Sequence, residues 1–492
     1  SMPEFTTIDN PGMHWSRQLQ FLAGTLSLNS EFSIRTVEFS PAEYQTLKAA
    51  LRSIEADGRK QPIFGHQKNP ADDGSSVAQK AAAAATAESH ILLDQRSFKL
   101  ADANNWTMVQ KIRKKILTYK GMKDNSELKW DFNPAWQEVK LDYAIVRNGD
   151  QEQKISAAEI NLMDAPWVAS APRYPAGKTL VASLPGVQVG SIIEYQVTQS
   201  VRANPFFHLM LAFQSHDPIE KRELSIDCPA DLKLGWKVFQ NGCLNFKTRT
   251  SGEVIQYQKK TLDDREIHSW FSEKQVALTR EKNLPPAYAF LPTVIVWSGD
   301  WKQYCQQIVR SLEFASQNGR EVMKLVEAIR AMRPERQLLS LRNHIERAVR
   351  IAGPHYTDLP RYCLSPAEKT YSEGYGHSAD RAALYYSILQ ELGYQPELIL
   401  VADEPQEENL QKFWKKYPSG YFFPEMLVRV RTKQGDVWFN DQDQYARLGS
   451  SRFHGRLACS PARNRFFRIE LPTEAQNLVS KLITIDMQPD GA

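Results

Sequence analysis

The sequence predicts a multidomain α+β protein in which an antiparallel β-sandwich precedes a domain of helices and antiparallel strands. Short alternating or β-branched runs, separated by Gly, Pro, Asn and Asp, fill residues 89–275. From about residue 300 the apolar residues instead recur with a helical period of 3.6. With 492 residues, 42% of them hydrophobic and 24% charged, the chain is long enough for two or three separate cores.

The patterning predicts five segments in chain order. They are the end of a preceding β region plus a helix (1–60), a low-complexity linker (61–88), the β-sandwich (89–275), the α+β domain (276–470) and a C-terminal strand or tail (471–492). In the first segment we expect two strands around a turn at Asn29-Ser30, then a helix that starts after Ser40. Because Ser1-Met2 resembles an artificial start and the chain opens on strand-like sequence, we expect a piece of a longer protein.

Composition argues against several classes of function. The formal net charge is only +4, and no basic run is interleaved with aromatic residues, so we expect no nucleic-acid partner. No run of about 18 apolar residues predicts a membrane span. The five cysteines form no CxxC pair and the histidines lack ligand spacing, so we predict no metal site and no cofactor. The sequence does not decide whether Cys228 and Cys243 form a disulfide.

Residues 374–394 form the most informative stretch. Gly374 and Gly376 precede Ser378, which opens a predicted helix with an apolar stripe, and Gly393 stands where that helix would end. A glycine turn that leads into a helix N-terminus favours anions and thiolates, and is therefore typical of a nucleophile site. The residue at the nucleophile position, however, is a serine.

Three blocks together resemble a transglutaminase-like core, the papain-related fold whose Cys, His and Asp come in that order. Bacterial members carry a stretch similar to G-x-G-D-C-x-D-x-A, and residues 374–382 read GYGHSADRA. The histidine block, similar to F-x-H-x-h-h-x-V, corresponds to residues 423–430, and the aspartate block, similar to W-h-D-P-T-D-x-Y-x-x-L-G, to residues 438–449. Residues 136–195, with DAPWVASAPRYP, resemble the β domain of unknown function that precedes such cores in bacterial envelope proteins.

On this resemblance the three catalytic positions hold Ser378, Glu425 and Asn440. A papain-type reaction needs a thiolate, an imidazole and a group that orients the imidazole. Glu425, expected to be an exposed carboxylate, is a poor base for a serine hydroxyl, and His377 is expected to point away from Ser378 because adjacent helical residues do not face each other. We therefore interpret the module as non-catalytic.

The resemblance implies a pseudoenzyme of the bacterial envelope, periplasmic or at the cell surface, that serves as a scaffold or binds a peptide or glycan in the former substrate cleft. Other domains of a longer parent protein are a further class of partner. The alternative is an active hydrolase or acyltransferase that uses Ser378 or Cys363, with His355 or His454 as further candidates to approach the site. Aromatic residues near the motifs are candidates to line the cleft, with core packing as their alternative role: Tyr375, Tyr421, Phe422, Phe423 and Trp438.

Overall fold

The computed structural model describes most of the chain between residues 87 and 471, together with parts of the N-terminal segment. The described ranges are 5–10, 13–22, 25–34, 46–51, 53–54, 87–244, 254–278, 284–359, 364–403, 407–433, 435–441 and 448–471. The chain divides into two compact units, one of residues 83–476 and one of residues 1–82 with 477–492. The predicted linker and C-terminal tail lie almost wholly outside the described residues.

The smaller unit contains one antiparallel sheet. Its strands are β1 (Ile8–Asp9), β2 (Met13–Leu22) and β3 (Thr25–Ile34), and residues 46–51 and 53–54 are helical. The turn predicted at Asn29-Ser30 is wrong, because both residues pair with Gln18 and Arg17 in the middle of β3. Instead, Leu22 at the end of β2 pairs with Thr25 at the start of β3.

The β-rich part of the larger unit holds fourteen described strands and three short helical turns. The strands are β4 (Ser89–Leu100), β5 (Trp106–Ile116), β6 (Glu127–Phe132), β7 (Gln137–Asn148), β8 (Gln151–Lys154), β9 (Ile160–Asp164), β10 (Lys178–Ser183), β11 (Ile192–Val201), β12 (His208–Ala212), β13 (Ile219–Pro229), β14 (Gly235–Phe239), β15 (Gln256–Leu262), β16 (Arg265–Gln275) and β17 (Thr293–Trp297). Helix α1 (Tyr119–Asn125) follows β5, a 3₁₀ turn precedes β9 (Ala157–Glu159) and another follows it (Val168–Ser170).

One long sheet and two small sheets organise this part. The long sheet has the order β15-β16-β13-β4-β5-β11-β7-β8, and the small sheets have the orders β6-β10-β9 and β12-β17-β14. The predicted all-antiparallel arrangement fails at one pair, because β4 and β13 run parallel. More than a hundred residues separate these two strands, so the chain has room for the crossover that a parallel pair needs.

Two apolar cores lie among these strands. One contains buried residues of β5, β6, β7, β10 and β11, and the other contains residues of β12, β13, β16 and β17. Strand β17 is unusual because Val294 and Val296 lie in the second of these cores, whereas Ile295 lies in the core of the helical part. β17 is therefore a wall that two cores share.

The disulfide left open by the sequence is absent, and the reason is packing. Cys228 and Cys243 are both free. Cys228 is buried in the core of β12, β13, β16 and β17, whereas Cys243 packs against the core of the helical part. The two thiols therefore face different cores.

The second part of the unit combines helices with a five-stranded antiparallel sheet. Its helices are α2 (Ala287–Phe290), α3 (Trp301–Ala315), α4 (Arg320–Arg330), α5 (Pro334–Ala348), α6 (Ala367–Glu373), α7 (Ser378–Glu391) and α8 (Glu408–Lys416), with 3₁₀ turns at Tyr356–Asp358 and Gly420–Phe422. A two-residue parallel pair joins β18 (Arg350–Ile351) and β19 (Tyr375–Gly376). The sheet has the order β22-β21-β20-β23-β24, with β20 (Pro396–Val401), β21 (Glu425–Thr432), β22 (Gly435–Phe439), β23 (Leu457–Ser460) and β24 (Arg465–Arg468).

Helix α7 is the centre of this part, as its sequence predicts. It packs against β20 and β21 on one side and against α3, α4 and α6 on the others. Eleven of its fourteen residues are buried, so the helix is covered on nearly every face rather than along one stripe. Its N-terminus is consequently positioned by surrounding structure on all sides.

Candidate functional site

Two glycines shape the approach to the N-terminus of α7. Gly374 ends α6 with φ of +69°, a left-handed conformation that a side chain disfavours. A Cβ on Gly376 would lie 3.0 Å from Asp380 Cβ and 3.0 Å from Thr370 Cγ2, so glycine permits the close approach of this turn to the helix. His377 is the N-cap, and its Nδ1 accepts a hydrogen bond of 3.1 Å from the Asp380 amide.

The first turn of α7 is joined to a loop of the β-rich part through Asp380, which is fully buried. Tyr174 Oη donates to Asp380 Oδ2 at 2.5 Å and accepts from the His377 amide at 2.8 Å. Arg173 Nη2 lies 3.2 Å from the same carboxylate oxygen, and the Ser365 amide donates to Oδ1 at 2.6 Å. The turn and the loop are therefore held together by a buried, charge-assisted network.

Ring stacking reinforces this network. The ring of Tyr174 stacks on that of His377, with centroids 5.2 Å apart. Burial, and next the charge of Asp380, raise the pKa of Tyr174, so its hydroxyl stays protonated and remains a donor. His377 Nε2 also lies 3.2 Å from Asp380 Oδ1. The imidazole next to Ser378 is thus packed into the cap of the helix.

Ser378 occupies the predicted nucleophile position, and among the residues that the structure describes no base contacts its hydroxyl. The residue is 9% exposed, and Ser378 Oγ makes no hydrogen bond to any residue that the structure describes. Asn440 Nδ2 donates to the backbone carbonyl of Ser378 at 2.8 Å, and no other hydrogen bond joins Ser378 to Asn440 or Glu425. An uncharged hydroxyl without a neighbouring base is a weak nucleophile.

Glu425, at the predicted histidine position, is half-buried at the start of β21, where the sequence led us to expect an exposed carboxylate. Burial raises its pKa, the neighbouring Arg452 lowers it, and the nearby Asp403 and Asp441 raise it further. Arg452 Nη2 donates to Glu425 Oε1 at 3.1 Å, and the Arg452 amide donates to Asp441 Oδ2 at 2.9 Å. The Glu425 carboxylate is therefore held by an arginine.

Asn440, at the predicted aspartate position, has both polar groups of its side chain engaged in hydrogen bonds. Its Nδ2 donates to the carbonyls of Ser378 and Met426, both at 2.8 Å. Its Oδ1 accepts from Arg381 Nε at 2.8 Å, and Arg381 in turn pairs with Glu346 at 2.9 Å. Asn440 adopts a positive φ of 72°, a conformation that asparagine tolerates better than most residues. It ties α7 to β21 and orients no imidazole.

The aromatic candidates have different environments. Phe423 is fully buried and its ring packs edge-on against Trp301, while Trp438 is 3% exposed and lies in the core on the far face of the sheet. For these two rings the structure shows the alternative role, core packing, and Phe422 is buried as well. Tyr375 accepts a 3.0 Å hydrogen bond from the Arg173 amide, and Tyr421 is 60% exposed.

Tyr421 lines a cavity of about 250 Å³ between the β-rich part and the helical part. Its walls come from residues 131–137, from the loop that contains Trp167 and Gly177, and from residues 354–359. Trp167 packs edge-on against Tyr174, so one wall is continuous with the network around Asp380. Tyr356, which is buried beside the third wall, donates to the carbonyl of Phe423, two residues before Glu425. The cavity therefore borders segments that lead to two of the triad positions.

A larger cavity of about 910 Å³ lies at the other end of the sheet, around Tyr386, Tyr394 and the start of β20. Two of its arginines, Arg429 and Arg463, lie 2.6 and 3.1 Å from the carboxylate of Glu397. Those charges are consequently compensated within the wall. Glu425, by contrast, pairs with Val401 at the opposite end of β20.

The two remaining histidine candidates have hydrogen-bond partners elsewhere. His355 Nδ1 contacts Thr357 Oγ1 at 2.8 Å, and His454 Nδ1 accepts from the Leu471 amide at 3.1 Å. Cys363 lies outside the described residues. Within the described part of the chain no three His, Cys, Asp or Glu side chains are grouped closely enough to hold a metal ion. No helix there is long and apolar enough to cross a membrane.

Sequence reasoning missed the network around Asp380. Both halves of it were visible, since Arg173 and Tyr174 belong to the motif DAPWVASAPRYP and Asp380 belongs to GYGHSADRA. The missing information was that residues about two hundred positions apart meet, which no local periodicity encodes. His377 was considered only as a base, although its position directly before a helix is also that of an N-cap.

Comparisons with known proteins agree with part of this description. Residues 102–277 match DUF3857, a domain of unknown function with a solved structure, in agreement with the resemblance of the β-rich part. A "putative protease" from Parabacteroides distasonis has a similar fold, with a TM-score of 0.64 and 16% identity over 78% of this chain and 72% of that one. At this identity the likeness concerns the fold alone.

Other comparisons are weaker. An M1 zinc metallopeptidase from Deinococcus radiodurans has a TM-score of 0.22 at 7% identity, over 42% of each chain. A "putative nutrient binding protein" from Legionella pneumophila has a TM-score of 0.19 at 11% identity, over 63% of this chain and 95% of that one. These scores are too low to support any argument. The comparison with curated proteins found no sequence match.

Proposed function

We propose that residues 276–470 form a transglutaminase-like domain without catalytic activity, preceded by a β-sandwich, in a protein of the bacterial envelope. One observation carries the proposal: the side chains of Ser378, Glu425 and Asn440 make no hydrogen bond to one another. Asn440 is bonded to Arg381 and two carbonyls, and Glu425 is bonded to Arg452. A papain-type mechanism needs its three groups joined in a chain of hydrogen bonds. Here Glu425 and Asn440 have other partners, and the Ser378 hydroxyl bonds to no residue that the structure describes.

We further propose that the protein binds a peptide or a glycan in the cavity between the β-rich part and the helical part. The cavity of about 250 Å³ presents the exposed ring of Tyr421 and the half-buried ring of Trp167, with Asn133, Asn204 and Arg202 among its polar lining residues. Aromatic faces combined with a few polar groups are typical of ligand sites. Since drug-sized sites begin at roughly 300 Å³, the cavity has room for one residue of a longer ligand rather than for a large molecule.

The catalytic part of the proposal is tested with the wild-type protein and Ser378→Ala. Both are incubated with labelled casein and, separately, with a glutamine-containing peptide and a labelled primary amine. We expect identical signals, because no base contacts the Ser378 hydroxyl among the described residues. Turnover by the wild type that disappears in Ser378→Ala would establish a rewired serine enzyme instead.

Binding is tested on arrays of short peptides and of bacterial oligosaccharides. We expect Trp167→Ala and Tyr421→Ala to lose binding while Ser378→Ala retains it. Tyr119→Ala is the matched control, because Tyr119 is 63% exposed, much as Tyr421 is, but is not part of the cavity lining. Binding that is indifferent to Trp167 and Tyr421, or reduced equally by Tyr119→Ala, would exclude this cavity as the ligand site.

A further inference from the structure

Two cysteines from distant parts of the sequence meet in the core of the helical part. Cys305 Sγ on α3 and Cys459 Sγ on β23 are 3.8 Å apart. Cys305 is 1% exposed and Cys459 is fully buried. Of the four cysteines that the structure describes, only these two contact each other. No function proposed above uses either thiol.

The pair joins helix α3 to a strand that has few partners in the rest of its sheet. Strand β23 pairs with β20 at only two positions, Leu400 with Cys459 and Val401 with Ala458, whereas β20 and β21 pair at six. Residues 448–456, which lead into β23, include Arg452, the partner of Glu425. A bond from β23 to α3 would therefore fasten the two strands β23 and β24, which are joined to the rest of the sheet by few pairs, to the helical layer.

We propose that Cys305 and Cys459 form a disulfide when the chain folds in the presence of a disulfide oxidant. One thiolate attacks the oxidant R–S–S–R, forms a mixed disulfide and releases one RSH. The second cysteine then attacks the mixed disulfide, closes the Cys305–Cys459 bond and releases a second RSH, so that the two cysteines are oxidised and the oxidant is reduced. The sulfur atoms must approach from 3.8 Å to a covalent distance of about 2.0 Å, a change on the scale of side-chain adjustment.

The environment also predicts when the bond forms. The hydrogen bond between the Cys459 thiol and the Cys305 sulfur, and then burial, raise the pKa of Cys459, and the reactive species in exchange is the thiolate. In the folded protein both sulfur atoms are also shielded from any oxidant. Oxidation should therefore occur while the core is still open. A protein already folded in the reduced state should stay reduced.

The experiment refolds the fully reduced, urea-unfolded protein in a glutathione redox buffer or in dithiothreitol, then blocks free thiols and measures intact mass and proteolytic peptides. In the redox buffer we expect a mass before blocking that is lower by about 2 Da, for the two hydrogens lost. We also expect a peptide pair linking Cys305 to Cys459, and a higher urea midpoint than in dithiothreitol. Because five cysteines are present, three should remain open to the blocking reagent.

Matched variants separate this pair from the others. Cys305→Ser and Cys459→Ser should each abolish the linked peptide and the shift in the urea midpoint, whereas Cys228→Ser with Cys243→Ser should keep both. The linked peptide is read in the wild type itself, so a variant that fails to fold does not decide the result. Wild-type protein that refolds in the redox buffer with all five thiols free, or with a different pair linked, overturns the proposal. Neither result depends on whether the domain binds a ligand.

Discussion

The hydroxyl of Tyr174 joins three groups at the N-terminus of the central helix. It donates to the buried Asp380 carboxylate and accepts from the His377 amide and from Arg173 Nη2. Tyr174→Phe keeps the ring and its stacking but leaves a buried amide and a buried carboxylate short of a partner. We expect the free energy of unfolding to fall by about 1 to 3 kcal/mol, measured by urea denaturation.

Tyr119→Phe is the control for this substitution, because Tyr119 is 63% exposed and water can replace any bond of its hydroxyl. It should change the free energy of unfolding by less than about 0.5 kcal/mol. Equal effects of the two substitutions would show that the Tyr174 hydroxyl contributes nothing specific to the helix N-terminus.

The buried ion pairs of Asp94 in β4 should make the free energy of unfolding depend on pH. It is 1% exposed and pairs with Arg96 at 3.1 Å and Arg222 at 2.9 Å. Burial by itself raises its pKa, but the two guanidinium groups with their hydrogen bonds outweigh burial, so its pKa is lowered. Relative to an unfolded value of about 3.9, the stabilisation is fully present above that pH and is lost as the pH falls through the folded-state pKa.

Asp94→Asn should therefore lower the free energy of unfolding at pH 7 by about 3 to 5 kcal/mol, because it leaves the buried Arg222 without its counter-charge. The difference between variant and wild type should stay constant from pH 8 to pH 5 and narrow below about pH 4. Urea unfolding at a series of pH values measures it. A difference that widens on acidification would show that Asp94 is not the depressed carboxylate.

Among the secondary-structure elements, helix α7 allows the clearest test of tight packing. Ala383 lies on it, is fully buried and packs in the core of helices and sheet. Ala383→Leu adds volume where the helix is covered on nearly every face, and overpacking of this kind costs about 1 to 3 kcal/mol. The urea midpoint should fall accordingly.

Ala328→Leu, the same change at an exposed position of α4, should leave the midpoint nearly unchanged, since leucine and alanine are both good helix formers. If both variants unfold alike, then α7 is not the tightly packed centre that its burial indicates.

Local periodicity predicted the secondary-structure elements well but not the contacts between distant elements. The helical period that begins at about residue 300 corresponds to helix α3 (Trp301–Ala315), because the spacing of apolar residues is a property of the segment alone. The parallel pairing of β4 with β13 depends on contacts between strands more than a hundred residues apart. The contact of Tyr174 with Asp380 also joins residues about two hundred positions apart. Local sequence patterns therefore could not predict either contact.

In the candidate site as well, the sequence indicated the residues but not their hydrogen-bond partners. Asn440 could be placed by its motif, but its bonds to Arg381 and to two carbonyls could not, because they depend on the turn that its positive φ creates. Glu425 was expected to be exposed, since a carboxylate on its own favours water. Its pairing with Arg452, from a segment 27 residues later, makes its half-burial tolerable.

At the scale of the whole molecule, strand β17 decides which part of the chain can fold alone. The sequence predicted that the β-rich domain ends at residue 275, yet β17 (Thr293–Trp297) is the middle strand of the sheet β12-β17-β14. Val294 and Val296 fill the core between that sheet and the long one. A fragment ending at 275 lacks this strand and leaves β12 and β14 without a partner on their inner edges.

We therefore expect fragment 87–275 to aggregate or to unfold without a sharp urea transition, whereas fragment 87–299 should unfold cooperatively. The longer fragment should still be less stable than residues 83–476, because Ile295 loses the helical core and Arg173 and Tyr174 lose Asp380. Circular dichroism and urea titration of the three proteins at equal concentration test this order. A sharp transition in fragment 87–275 equal to that in fragment 87–299 would show that β17 belongs to the helical part alone.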